Sequence, residues 1–193
     1  MTAVWLHGAG LGPAMWDAAR ARGLRPWLPG HGDRPRAAAP TVAAMAAAIL
    51  PDLPARFDLV GHSLGGQIAM QIAADRPARV RRLVLVETAI TTHGTVLHRL
   101  GSALARELVA ALPRAALVRL IPLRQQGRAA AVLRAGLQAV DRAALNDAVQ
   151  AATRFDAAPL LARIAAPVLV VVGQGNPITH AQGRRIADTV RHG

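Results

Sequence analysis

The stretch from Leu59 to Ala69, LVGHSLGGQIA, decides the fold. It has the pattern of an apolar strand end, a tight turn through Gly61 and Ser63, and a helix that begins near Leu64. A serine in a G-x-S-x-G turn between a strand and a helix is held in a strained backbone conformation that lifts its hydroxyl above the sheet. This context favours a nucleophilic serine over an incidental serine in a glycine-rich turn. We therefore predict that Ser63 is a catalytic nucleophile.

Four apolar runs of strand length alternate with segments of helical pattern. The runs are AVWLH (3–7), FDLVG (57–61), RRLVLVET (81–88) and PVLVVVG (167–173). Strands that are apolar on both faces and separated by helices indicate a parallel sheet covered on both sides. The chain has 193 residues, of which 52% are hydrophobic, and this is enough for one substantial core. The predicted fold class is therefore α/β with a parallel sheet.

Capping residues predict several helix boundaries. Pro13 is a favoured first helical residue, so PAMWDAARA (13–21) is expected to be helical. Thr41 and Asp141 are expected to cap the helices that follow them. A last helix is expected at 178–193, with Gly193 as its C-terminal cap.

The segment 93–154 differs from the rest of the chain because it has no strand pattern. Its leucines recur at steps of three or four and form one helical stripe: Leu97, Leu100, Leu104, Leu108 and Leu112. We predict a single domain in which residues 1–92 and 155–193 form the core and 93–154 form an all-helical cap insertion over the strand ends. A plain structural bundle is the alternative for this insertion.

Composition excludes several classes of function. The net charge is +12 and every basic residue is an arginine, but no block of arginines is longer than two and the five aromatic residues do not interleave with them. This argues against base stacking, and we expect no nucleic-acid partner. There is no cysteine, so disulfides and thiolate metal sites are excluded, and we expect no metal and no cofactor. The start lacks a signal-peptide pattern and 42–50 is too short to span a bilayer, so we expect a cytoplasmic protein without a membrane partner.

A serine that attacks a carbonyl creates a negative oxygen, which needs backbone N–H donors. The amide of Leu64, directly after the nucleophile, is one expected donor, and the loop LHGAG (6–10) is expected to supply the other. The segments LHGAG, LPGHGDRP (28–35), GHSLGG (61–66) and LARIAAPVLVVVG (161–173), in this order and spacing, resemble the α/β-hydrolase superfamily, specifically its small esterase-like and haloperoxidase-like members.

The resemblance implies roles for individual residues of this chain. It implies that the Ala9 amide is the second oxyanion donor. It also implies that His7 and His31 shape loops, and we assign a structural role to His62 as well. In the family, the triad acid is usually an aspartate on the loop that reads here GQGNPIT (173–179), and the expected position holds Asn176.

A carboxylate elsewhere could replace the acid, because a triad is defined by geometry and not by chain order. Glu87 ends the strand next to that of Ser63, so it is expected at the same carboxyl edge of the sheet. This arrangement resembles that of haloalkane dehalogenases, but their nucleophile is aspartate, so Ser63 argues against dehalogenation. We predict that Glu87 is the acid. The alternative is that Glu87 only ends a strand and contacts solvent or an arginine.

The resemblance places the catalytic histidine after one further strand, which implies a position beyond Gly193. We therefore predict that the sequence is a fragment that lacks its last strand, last helix and general base. His180 and His192 fit helix positions better than a catalytic role. Of His93 and His98 at the start of the insertion, His93 is the alternative base, because it follows Glu87 closely.

The function that the resemblance implies is that of a serine hydrolase, which acts on small carboxylic esters or related acyl compounds through an acyl-enzyme. Two other hypotheses remain open. The chain could be a non-catalytic relative that binds a small molecule or partner in its cleft, or a lyase or C–C bond hydrolase on the same fold. Nucleic-acid binding through the positive charge ranks last, because nothing in the chain resembles a base-reading element. The sequence does not predict the oligomeric state.

Overall fold

A parallel sheet is the framework of the computed structural model, which describes residues 2–90, 107, 111–120 and 127–190. Within these residues the sheet has four strands in the order β1-β2-β3-β4, namely β1 (Ala3–Leu6), β2 (Phe57–His62), β3 (Val80–Val86) and β4 (Val168–Val171). Every neighbouring pair is parallel, and the register sets His62 opposite Val86 and Val86 opposite Val171. The carboxyl ends of β2, β3 and β4 therefore meet at one edge.

Helices flank the sheet, which confirms the predicted α/β class. The described helices are α1 (Val42–Ile49), α2 (Leu64–Asp75), α3 (Arg114–Leu120), α4 (Gly127–Gln138), α5 (Arg142–Arg154), α6 (Ala158–Leu161) and α7 (Pro177–Thr189), with short 3₁₀ helices at Pro13–Asp17 and Leu50–Asp52. Two predicted caps are confirmed: the Thr41 side chain accepts from the Ala44 amide at 3.1 Å and the Asp141 side chain from the Ala144 amide at 2.7 Å. None of the described helices is long and apolar enough to cross a membrane.

The core lies between the sheet and α2, and two glycines allow their close approach. The largest fully buried side chains from these elements are Leu6, Phe57, Leu59, Leu64, Ile68, Met70, Ile72, Leu83 and Leu85. A Cβ atom on Gly65 would overlap the backbone carbonyls of Leu6 and His7, and one on Gly66 would overlap the Thr88 side chain. The small residues after Ser63 therefore let the start of α2 rest directly on the strand ends.

The first predicted helix is wrong in length. Only the 3₁₀ helix at Pro13–Asp17 forms, and the chain then turns through Arg20 (φ 50°) and Gly23 (φ 117°). The physical reason lies at Leu24, whose amide donates to the Ala3 carbonyl and whose carbonyl accepts from the Trp5 amide, both at 2.9 Å. A helix that continued through 13–21 would carry Leu24 away from this edge of β1.

The C-terminal helix and β4 also differ from expectation. Helix α7 ends at Thr189 with extended Val190 as its C-cap residue, so the predicted cap at Gly193 is wrong; Gly193 itself lies outside the described residues. In β4, Leu169 is 58% exposed and Val171 is 44% exposed. One face of this strand is therefore uncovered within the described part of the chain, whereas the apolar pattern predicts burial on both faces.

The described parts of the insertion are helical. Helices α3, α4 and α5 lie within 93–154, and α4 packs on the loop after β1, because a Cβ atom on Gly136 would overlap the backbone of Gly10 and Leu11. This contact is what a cap over the strand ends requires. Most of the predicted leucine stripe (Leu97, Leu100, Leu104 and Leu108) lies outside the described residues. The domain boundaries remain a prediction.

Candidate active site

Ser63 occupies the sharp turn that the G-x-S-x-G pattern predicts. Its backbone angles are φ 51° and ψ −118°, a conformation that side-chain-bearing residues rarely adopt, and its side chain is half-buried. Its amide donates to the Val86 carbonyl at 3.0 Å, and its carbonyl accepts from the amides of Gly66 and Gln67. A Cβ atom on Gly61 would overlap the Gly65 backbone, which explains the glycine before the serine. The turn thus sits at the start of α2, where the helix N–H groups point towards the strand ends.

Two backbone amides near this turn have no backbone acceptor among the residues that the structure describes. Leu64 is the first residue of α2, so its N–H has no intrahelical partner. In the loop after β1, the Gly10 amide donates to Nε2 of His31 at 3.0 Å and the Leu11 amide donates to the Gly8 carbonyl at 3.2 Å. Within the described part of the chain, no backbone carbonyl accepts from the Ala9 amide. The Gly10 and Leu11 amides, which follow Ala9 in the loop, therefore already have hydrogen-bond acceptors. The amides of Ala9 and Leu64 have none among the described backbone carbonyls.

His7 and His31 hold the loops around the site. His7 is fully buried; its Nδ1–H donates to the Gly8 carbonyl at 2.9 Å and its Nε2 accepts from the Leu28 amide at 3.0 Å. Burial lowers the pKa of His7 to about 3 and also lowers the pKa of His31. Because both rings are neutral at neutral pH and both nitrogens of each are engaged, their geometry fits the loop-shaping role and not that of a base.

Glu87 follows β3 and lies beside Ser63. Its backbone has φ 47° and its amide donates to the Val171 carbonyl at 2.9 Å. Its carboxylate accepts three hydrogen bonds: from the amide of Gly173, from Nδ2 of Asn176 at 2.8 Å and from Oγ1 of Thr179 at 2.9 Å. Among the described residues it pairs with no arginine.

The protonation of Glu87 follows from these contacts. Burial acts to raise its pKa, but the hydrogen bonds from Gly173, Thr179 and Asn176 outweigh burial, and the pKa lies below its ordinary value. The carboxylate is therefore ionised at neutral pH. It is also only partly buried, so it remains accessible from the strand ends.

A mostly apolar cleft of about 490 Å³ extends to His62, the residue directly before Ser63. Ser63 and Glu87 are not among its described lining residues. It lies between the first 3₁₀ helix and α4 and is lined by Leu11, Met15, Ala18, His62, Arg128, Ala129, Val132 and Leu133. The His62 ring packs against the loop after β1, since a Cβ atom on Gly8 would lie 2.7 Å from its Nδ1. Burial lowers the pKa of His62, while the nearby Glu87 acts in the opposite direction.

The cleft adds residues that the sequence analysis did not find. The structural role of His62 stays a prediction, but its ring also lines the cleft, and its position directly before Ser63 is the signal that could have shown this. Among the described residues that line the cleft, Arg128 is the one that carries a full charge. No sequence signal marks Arg128, because its place depends on how α4 packs.

The remaining histidines do not complete a triad in the described residues. His180 lies in the first turn of α7, where its ring contacts the Gly173 carbonyl at 3.0 Å. No hydrogen bond joins a described histidine to Ser63 or Glu87. His93, His98 and His192 lie outside the described residues. In the parts of the chain that are described, no group of three His, Asp or Glu side chains could hold a metal ion.

A comparison across known families agrees with the strained serine, the two unbonded amides and the parallel sheet. In this comparison the alpha/beta hydrolase family matches residues 3–192. The chain belongs to the alpha/beta hydrolase family. Solved hydrolase structures show the same fold. A hydrolase from Pseudomonas aeruginosa has a TM-score of 0.81 at 24% identity, over 99% of this chain and 78% of its own. The enol-lactonase from Burkholderia xenovorans has a TM-score of 0.79 at 21% identity, over 100% of this chain and 81% of its own.

Among hydrolases of known activity, this chain is similar to pimeloyl-[acyl-carrier protein] methyl ester esterases. That of Neisseria meningitidis serogroup C is 30% identical over 194 residues, which cover 90% of this chain and 75% of the relative. That of Aromatoleum aromaticum is 47% identical over 91 residues, which cover 44% of this chain and 36% of the relative. That of Nitrosomonas europaea is 38% identical over 35% of its length. The match thus spans about a third of the length of two of these relatives and three quarters of the third.

Proposed function

We propose that the protein is an esterase that cleaves small carboxylic esters through an acyl-enzyme on Ser63. The observation that carries this proposal is the left-handed turn at Ser63, which sits at the start of α2 with Glu87 beside it. Such a turn presents a hydroxyl next to helix N–H groups, which is the arrangement that acyl transfer requires. The similarity to methyl ester esterases along 90% of the chain supports the same reaction class.

In the proposed mechanism, the Ser63 oxygen attacks the ester carbonyl carbon and its proton passes to an imidazole base. The carbonyl oxygen becomes an oxyanion, to which the amides of Ala9 and Leu64 donate hydrogen bonds. The tetrahedral intermediate then expels the alcohol, which takes the proton from the imidazolium. Water attacks the acyl-enzyme by the same route and releases the acid.

Glu87 is the proposed acid of the triad. A carboxylate can accept about four hydrogen bonds, and three of the acceptor positions of Glu87 are occupied by Gly173, Asn176 and Thr179. One position is left for the N–H of an imidazole. An ionised carboxylate in that position selects the tautomer whose other nitrogen faces the serine, and it stabilises the imidazolium.

The general base is proposed to be a histidine outside the described residues. His7 and His31 are excluded by their buried hydrogen bonds, and His180 contacts Gly173 instead of Glu87. Of the histidines outside the described residues, His93 follows Glu87 most closely in the sequence and is the first candidate to test.

The cleft suggests the class of substrate. The described residues that line it are apolar apart from His62 and Arg128, so it favours an aliphatic acyl chain over a polar one. A volume of about 490 Å³ is within the range of small-molecule sites. We propose methyl esters of medium-length aliphatic acids as substrates, and the names of the relatives suggest an acyl chain carried on an acyl-carrier protein.

The test supplies the base from solution. Free imidazole has a pKa near that of histidine and can take the proton of Ser63 if the space beside Glu87 is open. The purified 193-residue chain should release methanol from monomethyl pimelate at a rate that rises with imidazole concentration. The Ser63→Ala variant should show only the background rate of imidazole in buffer, and Thr189→Ala, which removes a hydroxyl at the far end of α7, should match the unmodified chain.

A non-catalytic binding protein is the second candidate. It is favoured by one observation, namely that no described histidine is hydrogen-bonded to Ser63 or Glu87. A rate that is the same in the unmodified chain and in Ser63→Ala at every imidazole concentration would contradict the esterase proposal and favour this candidate.

A further inference from the structure

The side chain of Asn176 completes the surroundings of Glu87. Its Nδ2 donates to Oε2 of Glu87 at 2.8 Å, although 89 positions of the chain separate the two residues. Asn176 is also the N-cap residue of α7, and its Oδ1 lies 3.5 Å from the Thr179 amide. The Thr179 hydroxyl donates to the same Oε2 at 2.9 Å. One carboxylate oxygen is therefore held by two side chains from the first turn of a single helix.

The chemistry of this contact requires a donor at position 176. An ionised carboxylate is an acceptor only, and an asparagine amide supplies N–H groups without a charge. An aspartate at this position would set two carboxylates within hydrogen-bonding distance of each other, and one of them would have to take up a proton. Asparagine therefore allows Glu87 to carry the negative charge of the site alone. The positive end of the α7 dipole lies on the same side and favours that charge.

We propose that residues 87 and 176 form a single acid site that carries one negative charge, in which Asn176 and Thr179 are positioning residues for Glu87. This inference rests on the proposed function, because it assigns these residues to the acid of the esterase triad. The asparagine at the position where the family resemblance implies an aspartate is then not a defect of the site. An ionised carboxylate at position 87 requires an uncharged hydrogen-bond donor beside it, and Asn176 is that donor.

The arrangement also fixes the direction in which Glu87 can accept an imidazole. Gly173 approaches Oε1 from the loop after β4, while Asn176 and Thr179 approach Oε2 from α7. The backbone of Glu87 is held in a left-handed conformation, and Thr179 is buried with 6% of its surface exposed. With both oxygens anchored, the carboxylate cannot rotate away from the remaining acceptor position.

The test exchanges the two functional groups. Glu87→Gln places an amide next to the Asn176 amide. Asn176→Asp places a second carboxylate next to that of Glu87. In the double variant Glu87→Gln/Asn176→Asp, the new amide at position 87 can accept from Gly173 and donate to the new carboxylate at position 176, so the hydrogen bond is restored with reversed direction. We expect each single change to lower the Tm of the 193-residue chain by at least about 2–4 °C and the double variant to recover most of that loss.

A second measurement tests the positioning role. Imidazole-dependent ester hydrolysis should fall about tenfold or more in Glu87→Gln, the value of one hydrogen bond to a charged group, and should rise again in the double variant. In Asn176→Asp, the acidic limb of the pH–rate profile should move to higher pH, because the two carboxylates share a proton. Thr179→Val should lower the rate, and Thr179→Ser, which keeps the hydroxyl, should restore it.

The outcomes separate this inference from the proposed function. Additive losses of Tm in the double variant would overturn the shared acid site, whether or not the unmodified chain hydrolyses esters. A double variant that recovers its Tm but not its rate of hydrolysis would overturn the positioning role. An unmodified chain with no Ser63-dependent hydrolysis would overturn the esterase proposal and the positioning role with it.

Discussion

Ser63 and Glu87 lie side by side at the carboxyl ends of two paired strands, and both have left-handed backbone angles. Their φ values are 51° and 47°, and the Ser63 amide donates to the carbonyl of Val86, the residue before Glu87. Neighbouring strands are about 4.8 Å apart, so the two side chains start from adjacent positions. Each such conformation costs about 1–3 kcal/mol and persists only where the surroundings enforce it. Two of them next to each other support the proposal that this edge of the sheet holds the active site.

The backbone strain at Ser63 should have a measurable effect on the free energy of unfolding. Ser63→Gly and Ser63→Ala both remove the hydroxyl, but only glycine adopts the left-handed conformation without a Cβ clash. We expect the glycine variant to have a free energy of unfolding about 1 kcal/mol higher than the alanine variant in urea denaturation. A glycine variant that is less stable than the alanine variant would show that the turn is not strained.

The contact between α2 and β3 should tolerate no side chain at position 66. Gly66→Ala would place a methyl group on the Thr88 side chain, and we expect it to lower the free energy of unfolding by about 1–3 kcal/mol. Gly175→Ala is the matched control, because its Cβ atom would meet nothing within 4 Å. Equal losses in the two variants would contradict the close approach of α2, and Gly66→Ala combined with Thr88→Ala should recover part of the loss.

The buried histidines should make stability fall on the acidic side of neutrality. The pKa of His7 is lowered from 6.5 to about 3, and those of His31 and His62 are also lowered. Because the unfolded chain binds these protons first, stability is present above pH 6.5 and is lost as pH falls towards the folded-state values. For His7, whose folded-state pKa is about 3, the loss should be about 1.4 kcal/mol per pH unit, and His31 and His62 should add to it in the same direction.

This slope can be measured by urea denaturation between about pH 6.5 and about 5, above the range in which Glu87 titrates. The Glu87 pKa is itself lowered, so its contribution is lost only at lower pH, below its ordinary value of 4.5. His31→Gln should make the loss of stability with falling pH less steep, because the pKa of His31 is lowered in the folded chain. An unchanged slope in this variant would show that His31 is not held neutral in the folded chain.

The cleft should set the preferred acyl length. Val132 lines it from α4, so Val132→Phe should lower the imidazole-dependent hydrolysis of methyl hexanoate more than that of methyl acetate. Ala135→Phe is the control, because Ala135 is exposed on the same helix. The measurement is the ratio of kcat/KM for the two esters. A ratio that changes equally in both variants would place the acyl chain elsewhere.

Local patterns predicted much of this structure. The turn at Ser63 and the caps at Thr41 and Asp141 follow from residues within a few positions of each other, so the sequence alone shows them. The edge position of Glu87 follows from the order of parallel strands. Each of these features depends on short-range chemistry or on a general rule of sheet topology.

Other features depend on tertiary contacts and could not be predicted. The hydrogen bond between Glu87 and Asn176 requires the start of α7 to meet the end of β3, and no local pattern specifies that distance. The early end of the first helix depends on the pairing of Leu24 with β1. The place of His62 in the cleft depends on how α4 packs against the first 3₁₀ helix and the strand ends.

The most direct measurement is mass spectrometry of the peptide that contains Ser63, after the 193-residue chain has reacted with a fluorophosphonate in the presence of imidazole. The account predicts a phosphonyl adduct on Ser63 that forms faster as imidazole is raised and more slowly in Glu87→Gln. It predicts no adduct on this peptide in Ser63→Ala. An unmodified Ser63 at saturating imidazole would contradict the claim that this residue is a nucleophile.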